Sequence, residues 1–173
     1  SQTFTSGTGF SDSNAFIAKV DGSTGAVLWA KSFSWFGGGS LFHNEADSNV
    51  DLSIDASGRI VATFSSLFED WYVPRVLLLD AATGNTLVQL WNPATLYIGG
   101  TSTTSTGTDG AGSIAVGGFC DNCFDSLTSC PWTHPGGSFG YLATFNANQQ
   151  CVGVTTLPFT PREIVSDGAG GWV

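Results

Sequence analysis

Residues 50–66 read VDLSIDASGRIVATFSS, and the turn at their centre recurs along the chain. Val50, Leu52 and Ile54 alternate with Asp51, Ser53 and Asp55, the two-residue period of a strand. Ala56, Ser57, Gly58 and Arg59 reverse the direction, with Gly58 free to supply a positive φ, and IVATFSS runs back. The same Asp-x-x-Gly turn returns at Asp109 with Gly112 and at Asp167 with Gly170. Between these copies lies a second turn, Asp-x-x-Thr-Gly. It joins two strands in 16–33 (FIAKVDGSTGAVLWAKSF, around Asp21 and Gly25) and in 76–91 (VLLLDAATGNTLVQLW, around Asp80 and Gly84). A third copy of this second hairpin is expected at 141–157, YLATFNANQQCVGVTTL, with Asn146 in the aspartate position and the glycine lost.

Two hairpin types in alternation make a unit of roughly 55–65 residues and four short strands, the sequence pattern of a propeller blade. The expected fold class is therefore all-β: four-stranded antiparallel blades, part of a larger or oligomeric propeller. Composition agrees where it bears on the point. The chain has 23 glycines and only 11% charged residues, which suits many short strands and tight turns and not long solvated helices. No segment holds a 3.6-residue apolar period for three turns. Runs such as 76–79 (VLLL) and 114–116 (IAV) are apolar at every position, as strands are when neighbouring layers cover both faces.

The segments 16–33 and 50–66 resemble the bacterial β-propeller repeat of secreted and surface proteins. Phe16, Ala18, Lys19, Asp21, Leu28, Trp29, Phe33, Gly37, Gly38, Ile54, Asp55 and Gly58 match its pattern. The likeness spans nearly the whole chain, strongest over 14–66 and weaker over 138–173, and departs from the pattern in long insertions and in cysteines. It implies propeller architecture and an extracytoplasmic setting, and it brings no catalytic motif.

Counted by hairpins, a single propeller region covers 1–173. It comprises an outer hairpin at 16–33, a blade at 49–91, a blade at 101–157 and the start of a next blade at 162–173. Residues 1–15 read as a leading loop or edge strand. Joining the two end halves would give three blades, whereas closed propellers have roughly 4–8, so more chain or a second copy is expected. The absence of Met and the final Gly171, Trp172 and Val173, where the first copy continues as Ile60, Val61 and Ala62, point to a portion of a longer polypeptide.

A net charge of -9 with five cations (Lys19, Lys31, Arg59, Arg75, Arg162) cannot neutralise a phosphate backbone, which excludes nucleic acid. An anionic membrane surface is disfavoured on the same ground. No apolar run reaches the roughly 18 residues of a membrane span, so membrane insertion is not expected.

Candidate sites fall into four groups. Cys120, Cys123, Cys130 and Cys151 are disulfide candidates, as an even cysteine count in a Gly-rich, extracytoplasmic chain suggests; all three connectivities stay open. A zinc site from Cys120, Cys123, Cys130 and His134 is the alternative. Glu45, Asp47, Asn49 and Asp51 offer oxygens of the kind calcium takes, although Leu52 stands where a calcium loop has glycine and Gly58 where it has glutamate. Calcium is the one cofactor these residues would suit, and their plainer reading is a polar loop between blades. The recurrent Asp21, Asp55, Asp80, Asp109 and Asp167 are expected to accept amide hydrogen bonds within their own turns. Trp35, Phe36, Phe68, Trp71, Tyr72, Trp132 and His134 are expected in loops, where aromatic faces suit a protein contact or a sugar.

With two histidines and no nucleophile motif, enzymatic activity is not expected. The residues point to an extracellular or cell-surface structural and adhesive module. Its expected partners are other propeller blades or copies of the same protein. A lectin-like propeller, stacking glycans on Trp35, Trp71 and Trp132, is the second reading, and a quinone-dependent enzyme the third.

Overall fold

A computed structural model describes residues 15–33, 46–68, 71–91, 102–121, 130 and 137–173. Among them the chain is all-β, with ten strands and no helix. Strands β1 (Ala15–Val20) and β2 (Val27–Phe33) form a hairpin. Strands β3 (Ala46–Ile54), β4 (Ile60–Phe68), β5 (Trp71–Leu79) and β6 (Thr86–Trp91) form a four-stranded antiparallel meander. Strands β7 (Ser102–Thr108), β8 (Ile114–Cys120), β9 (Phe139–Phe145) and β10 (Cys151–Leu157) form a second one of the same order. Beyond β10, Val165 and Val173 exchange amide-to-carbonyl bonds of 2.9 and 2.8 Å around the Asp167 turn, and Ser166 bridges Trp172.

These pieces stack as layers. Alternation sends Ile60, Ala62 and Phe64 of β4 and Leu77 and Leu79 of β5 to one face, where they bury against Ala15, Ile17 and Trp29 of the hairpin. Val61, Val76 and Leu78 point the other way, into a core with Ile114, Val116, Tyr141, Ala143 and Phe145 of the second sheet. Being covered on both sides explains why 76–79 carries four consecutive apolar residues, each contributing about 1.5–3 kcal/mol on full burial. On the far face of the second sheet the chain returns over residues 159–164. There the Phe159 carbonyl lies where a Cβ on Gly140 would stand, and Pro161 and Ile164 crowd Gly117. The Thr104 hydroxyl donates to the Pro161 carbonyl.

The turns sort into two geometries. In the longer one, the amide of the aspartate donates five residues ahead (Asp21 to Ala26, 2.8 Å; Asp80 to Asn85, 2.9 Å) and the positive-φ residue is Gly25 or Gly84. In the shorter one the amide donates four residues ahead (Asp55 to Arg59, 2.9 Å; Asp109 to Ser113, 3.1 Å; Asp167 to Gly171, 3.0 Å), with Gly58, Gly112 and Gly170 at positive φ. The turn at Asn146 corrects its expected class. Asn146 donates to Gln150 at 2.9 Å and Gln149 sits at φ 66, so the β9–β10 hairpin takes the short turn at the position where β5–β6 takes the long one.

The strands also extend beyond their expected limits. The segment from Ala46, expected as a polar loop, is strand, so the first four-stranded unit begins at 46 and not 49. It carries a bulge between Ser48 and Asp51, where Asn49 sits at φ 55. Phe68, Trp71 and Tyr72, expected in loops, lie on β4 and β5, with Phe68 opposite Trp71 and Leu67 opposite Tyr72. The second unit spans 102–157.

Candidate functional site

What the described residues assemble is a set of contacts between layers. In each turn a carboxylate or amide oxygen closes the loop on itself. One oxygen of Asp21 accepts from the Ser23 and Thr24 amides (3.0 and 2.8 Å) and from both hydroxyls (2.6 and 2.8 Å). Asp80 does the same with the Ala82 and Thr83 amides and the Thr83 hydroxyl. Asp109 takes Ala111 and Ser113, Asn146 takes Asn148 and Gln150, and Asp167 takes Ala169 and Gly171. Asp55 is buried and accepts from the Ser57 and Arg59 amides, while its second oxygen pairs with Arg59 Nε at 2.6 Å.

Donors that favour the ionised form lower the carboxyl pKa. Asp21 is held well below the usual carboxylate range by the Ser23 hydroxyl first and then by Thr24, and Asp80 is lowered by the Thr83 hydroxyl and amide. At Asp109, desolvation acts upward but is outweighed by Ser113 and the Ala111 and Gly112 amides; at Asp167 the Ala169 and Gly171 amides do the lowering. All five aspartates are occupied as the sequence suggested.

The long turn of the first sheet is gripped by the hairpin before it. Lys19 Nζ and Trp29 Nε1 both donate to the Ala81 carbonyl, at 2.9 and 3.1 Å, and Lys31 Nζ donates to Asn85 Oδ1 at 3.0 Å. The Trp29 ring lies over Gly84, so closely that a Cβ there would come within 2.6 Å of it. Gly84 therefore serves two purposes, the left-handed turn and the seat of an indole.

Between the two sheets runs a polar seam. Strand β7, STTSTGT, is an edge strand of its sheet, and its outward amides need partners once buried. The Thr103 amide donates to Ser65 Oγ at 2.8 Å and the Thr106 amide to Asp51 Oδ2 at 2.7 Å. The Thr108 hydroxyl donates to the Ile54 carbonyl at 2.6 Å. Asp51, named from the sequence as a calcium oxygen, thus has one oxygen committed to the neighbouring layer. Asp47 and Asn49 share its strand, Asn49 exposed on the bulge. Glu45 lies outside the described residues, among which no cluster of His, Cys, Asp or Glu could hold a metal ion.

Cys130 and Cys151 form a disulfide across 21 residues of chain, and Cys120 is disulfide-bonded too. Cys123 and His134 lie outside the described residues. A sulfur held in a disulfide is not a thiolate ligand, so Cys120 and Cys130 as bonded here offer none of the thiolates the zinc alternative needs. Trp35, Phe36 and Trp132 also lie outside. Of the expected aromatic group, Phe68, Trp71 and Tyr72 are placed, on β4 and β5 and not in loops. No helix among the described residues is long and apolar enough to cross a membrane.

Sequence reasoning missed Lys19, Trp29 and Lys31 as one grip. They are spread over two strands, and nothing in their spacing names Ala81 and Asn85 as targets. It also missed Arg75, buried with its guanidinium 5.1 Å from the centre of the Phe64 ring, a cation–π contact. No family model matches the chain, and no curated protein matches it.

Proposed function

We propose that this chain is a run of β-propeller blades acting as an extracellular structural and adhesive module, one that works through protein–protein contact and not through catalysis. The observation that carries the reading is the repetition of one interface. Two meanders of identical strand order stack face to face, a hairpin of the same design covers the near side, and another turn of the same design follows on the far side. A stack of that kind resembles propeller blades and agrees with the likeness to the bacterial repeat of secreted and surface proteins. The recurrent carboxylates, which an enzyme would keep for chemistry, are spent on their own turns. The Cys130–Cys151 disulfide fits an oxidising compartment.

The test is binding of the intact protein to the cell-surface protein fraction of its source, before and after that fraction is deglycosylated or digested with protease. Binding that survives deglycosylation and disappears with protease is expected. Binding lost on deglycosylation would replace this reading with the lectin-like one, and no binding to either preparation would remove the adhesive role.

A further inference from the structure

We propose that the polar seam between the two sheets is a binding site for one ordered water molecule, held by the Thr63 hydroxyl, the Ser53 hydroxyl and the second carboxylate oxygen of Asp51. The proposal goes beyond the module reading and stands without it. Its first support is strand alternation. Val61 packs into the core between the sheets, Asp51 reaches the Thr106 amide of β7, and Ser65 Oγ accepts from the Thr103 amide. Residues two apart on a strand share a face, so Ser53 and Thr63 point into the same seam. Asp51 stands directly opposite Thr63, and Ser53 opposite Val61.

The second support is an imbalance of partners. Thr63 is fully buried, at 0% exposure. Among the described residues neither Thr63 Oγ1 nor Ser53 Oγ has a hydrogen-bond partner, and both oxygens are shut off from bulk solvent. A buried hydroxyl without a partner forfeits the bonds it makes to water in the unfolded chain, a loss that native folds rarely accept. Asp51 spends Oδ2 on the Thr106 amide, while Oδ1 accepts no bond from the described residues. A third buried hydroxyl of this kind, Ser105 Oγ, lies on the other face of β7, beside Gly117 and below Pro161 and Ile164, and takes no part.

One water answers all three groups. Side chains directly opposite on antiparallel strands have Cβ atoms about 4.5–5.5 Å apart, and diagonal neighbours stand roughly 7–8 Å apart. A water makes bonds of about 2.8 Å on each side, so one molecule spans the gap between Thr63 and Asp51 and stays within reach of Ser53. It donates to Asp51 Oδ1 and accepts from the two hydroxyls. Buried waters make about three bonds to otherwise unpaired groups, the number offered here. Calcium, which takes roughly 6–8 oxygens, is poorly provided for. Through Asp51 the water also steadies the carboxylate that meets Thr106, and so helps to hold β7 in register on β3 and β4.

The test is a double-mutant cycle on the intact chain, read by urea unfolding, with a high-resolution crystal structure of the parent beside it. Thr63→Val keeps the side-chain shape and removes one hydroxyl, and Ser53→Ala removes the other. Each single variant should raise the unfolding equilibrium constant about fivefold or more. The double variant should lose clearly less than the product of the two, since either change alone already loosens the shared water. Effects that simply multiply would mean that the hydroxyls share no ligand and overturn the proposal. A Thr63→Val protein more stable than the parent overturns it too, because only a hydroxyl without a partner is better replaced by a methyl group. The crystal structure decides if either variant does not fold. Density for one water within about 3.2 Å of Thr63 Oγ1, Ser53 Oγ and Asp51 Oδ1 is expected. A direct hydrogen bond between Thr63 and Asp51 overturns the proposal. So does a metal ion at this point, which an unfolding midpoint that shifts on adding calcium chloride or a chelator would reveal.

Discussion

At the scale of single residues, the long turns at Asp21 and Asp80 form a built-in comparison. Gly25 and Gly84 have nearly the same φ, 69° and 71°, and the same backbone bonds. A Cβ on Gly25 meets nothing within 4 Å, while one on Gly84 meets the Trp29 ring. Gly25→Ala should therefore cost only the left-handed penalty, about 1–2 kcal/mol. Gly84→Ala should add about 1–3 kcal/mol for displacing a packed indole. Urea unfolding followed by tryptophan fluorescence gives both values, and equal losses would mean that Trp29 does not rest on the turn. The turn carboxylates make a prediction about pH. Asp21, Asp80, Asp109 and Asp167 all have lowered folded-state pKa values, whereas an unfolded aspartate titrates near ~3.9. Their stabilisation is complete above that value and is lost as pH falls through the folded values. Midpoint denaturant concentrations should hold from neutrality down to about pH 5 and drop steeply below about pH 4; a flat profile to pH 2 would show that the turn bonds do not favour the ionised form.

At the scale of elements, the hairpins and their turns were legible because aspartate and glycine carry the turn chemistry in their own side chains. The alternation of Val50, Leu52 and Ile54 likewise marked β3. The start of β5 was not legible, since Pro74 and Arg75 break the expected pattern of a central strand. Pro74 is tolerated because the described pairing of β5 with β6 begins only at Val76, and Arg75 because Phe64 offers it a ring face. The turn at Asn146 was misassigned because its class depends on backbone spacing that Gln149 conceals; a glycine at 149 would have shown the short pattern at once. For the candidate site the sequence named the turn aspartates but not their neighbours, since contacts such as Thr106 with Asp51 join strands far apart in the chain. The disulfide adds a prediction at this scale. Cys130 is buried and Cys151 half-buried at the margin of the core between the sheets, and the bond closes a loop of 21 residues. In the loop-entropy account such a closure contributes about 3 kcal/mol. The double variant Cys130→Ala, Cys151→Ala should unfold at a correspondingly lower temperature by calorimetry. An unchanged midpoint would place the pair outside the cooperative unit.

At the scale of the whole molecule, stacking sets how stability is shared. Each layer buries its faces against its immediate neighbours, so stability approximates a sum of layer terms and nearest-neighbour terms, as in other repeat architectures. Among the described residues the hairpin packs one face against the first sheet, while β4 and β5 are covered on both. A cavity in the hairpin should therefore loosen one end, whereas a cavity in β5 should undermine everything that leans on it. Ile17→Ala and Leu78→Ala remove comparable side chains at about 2–5 kcal/mol each, from positions 2% and 0% exposed. By amide hydrogen exchange, Ile17→Ala should lose protection within 15–33 and leave 114–145 near the parent value. Leu78→Ala should lower protection in both sheets together. Uniform loss from Ile17→Ala would mean that the hairpin is integral to a single cooperative core and that the layered account is wrong. Exchange confined to the hairpin would mark it as the part of the fold with least support of its own.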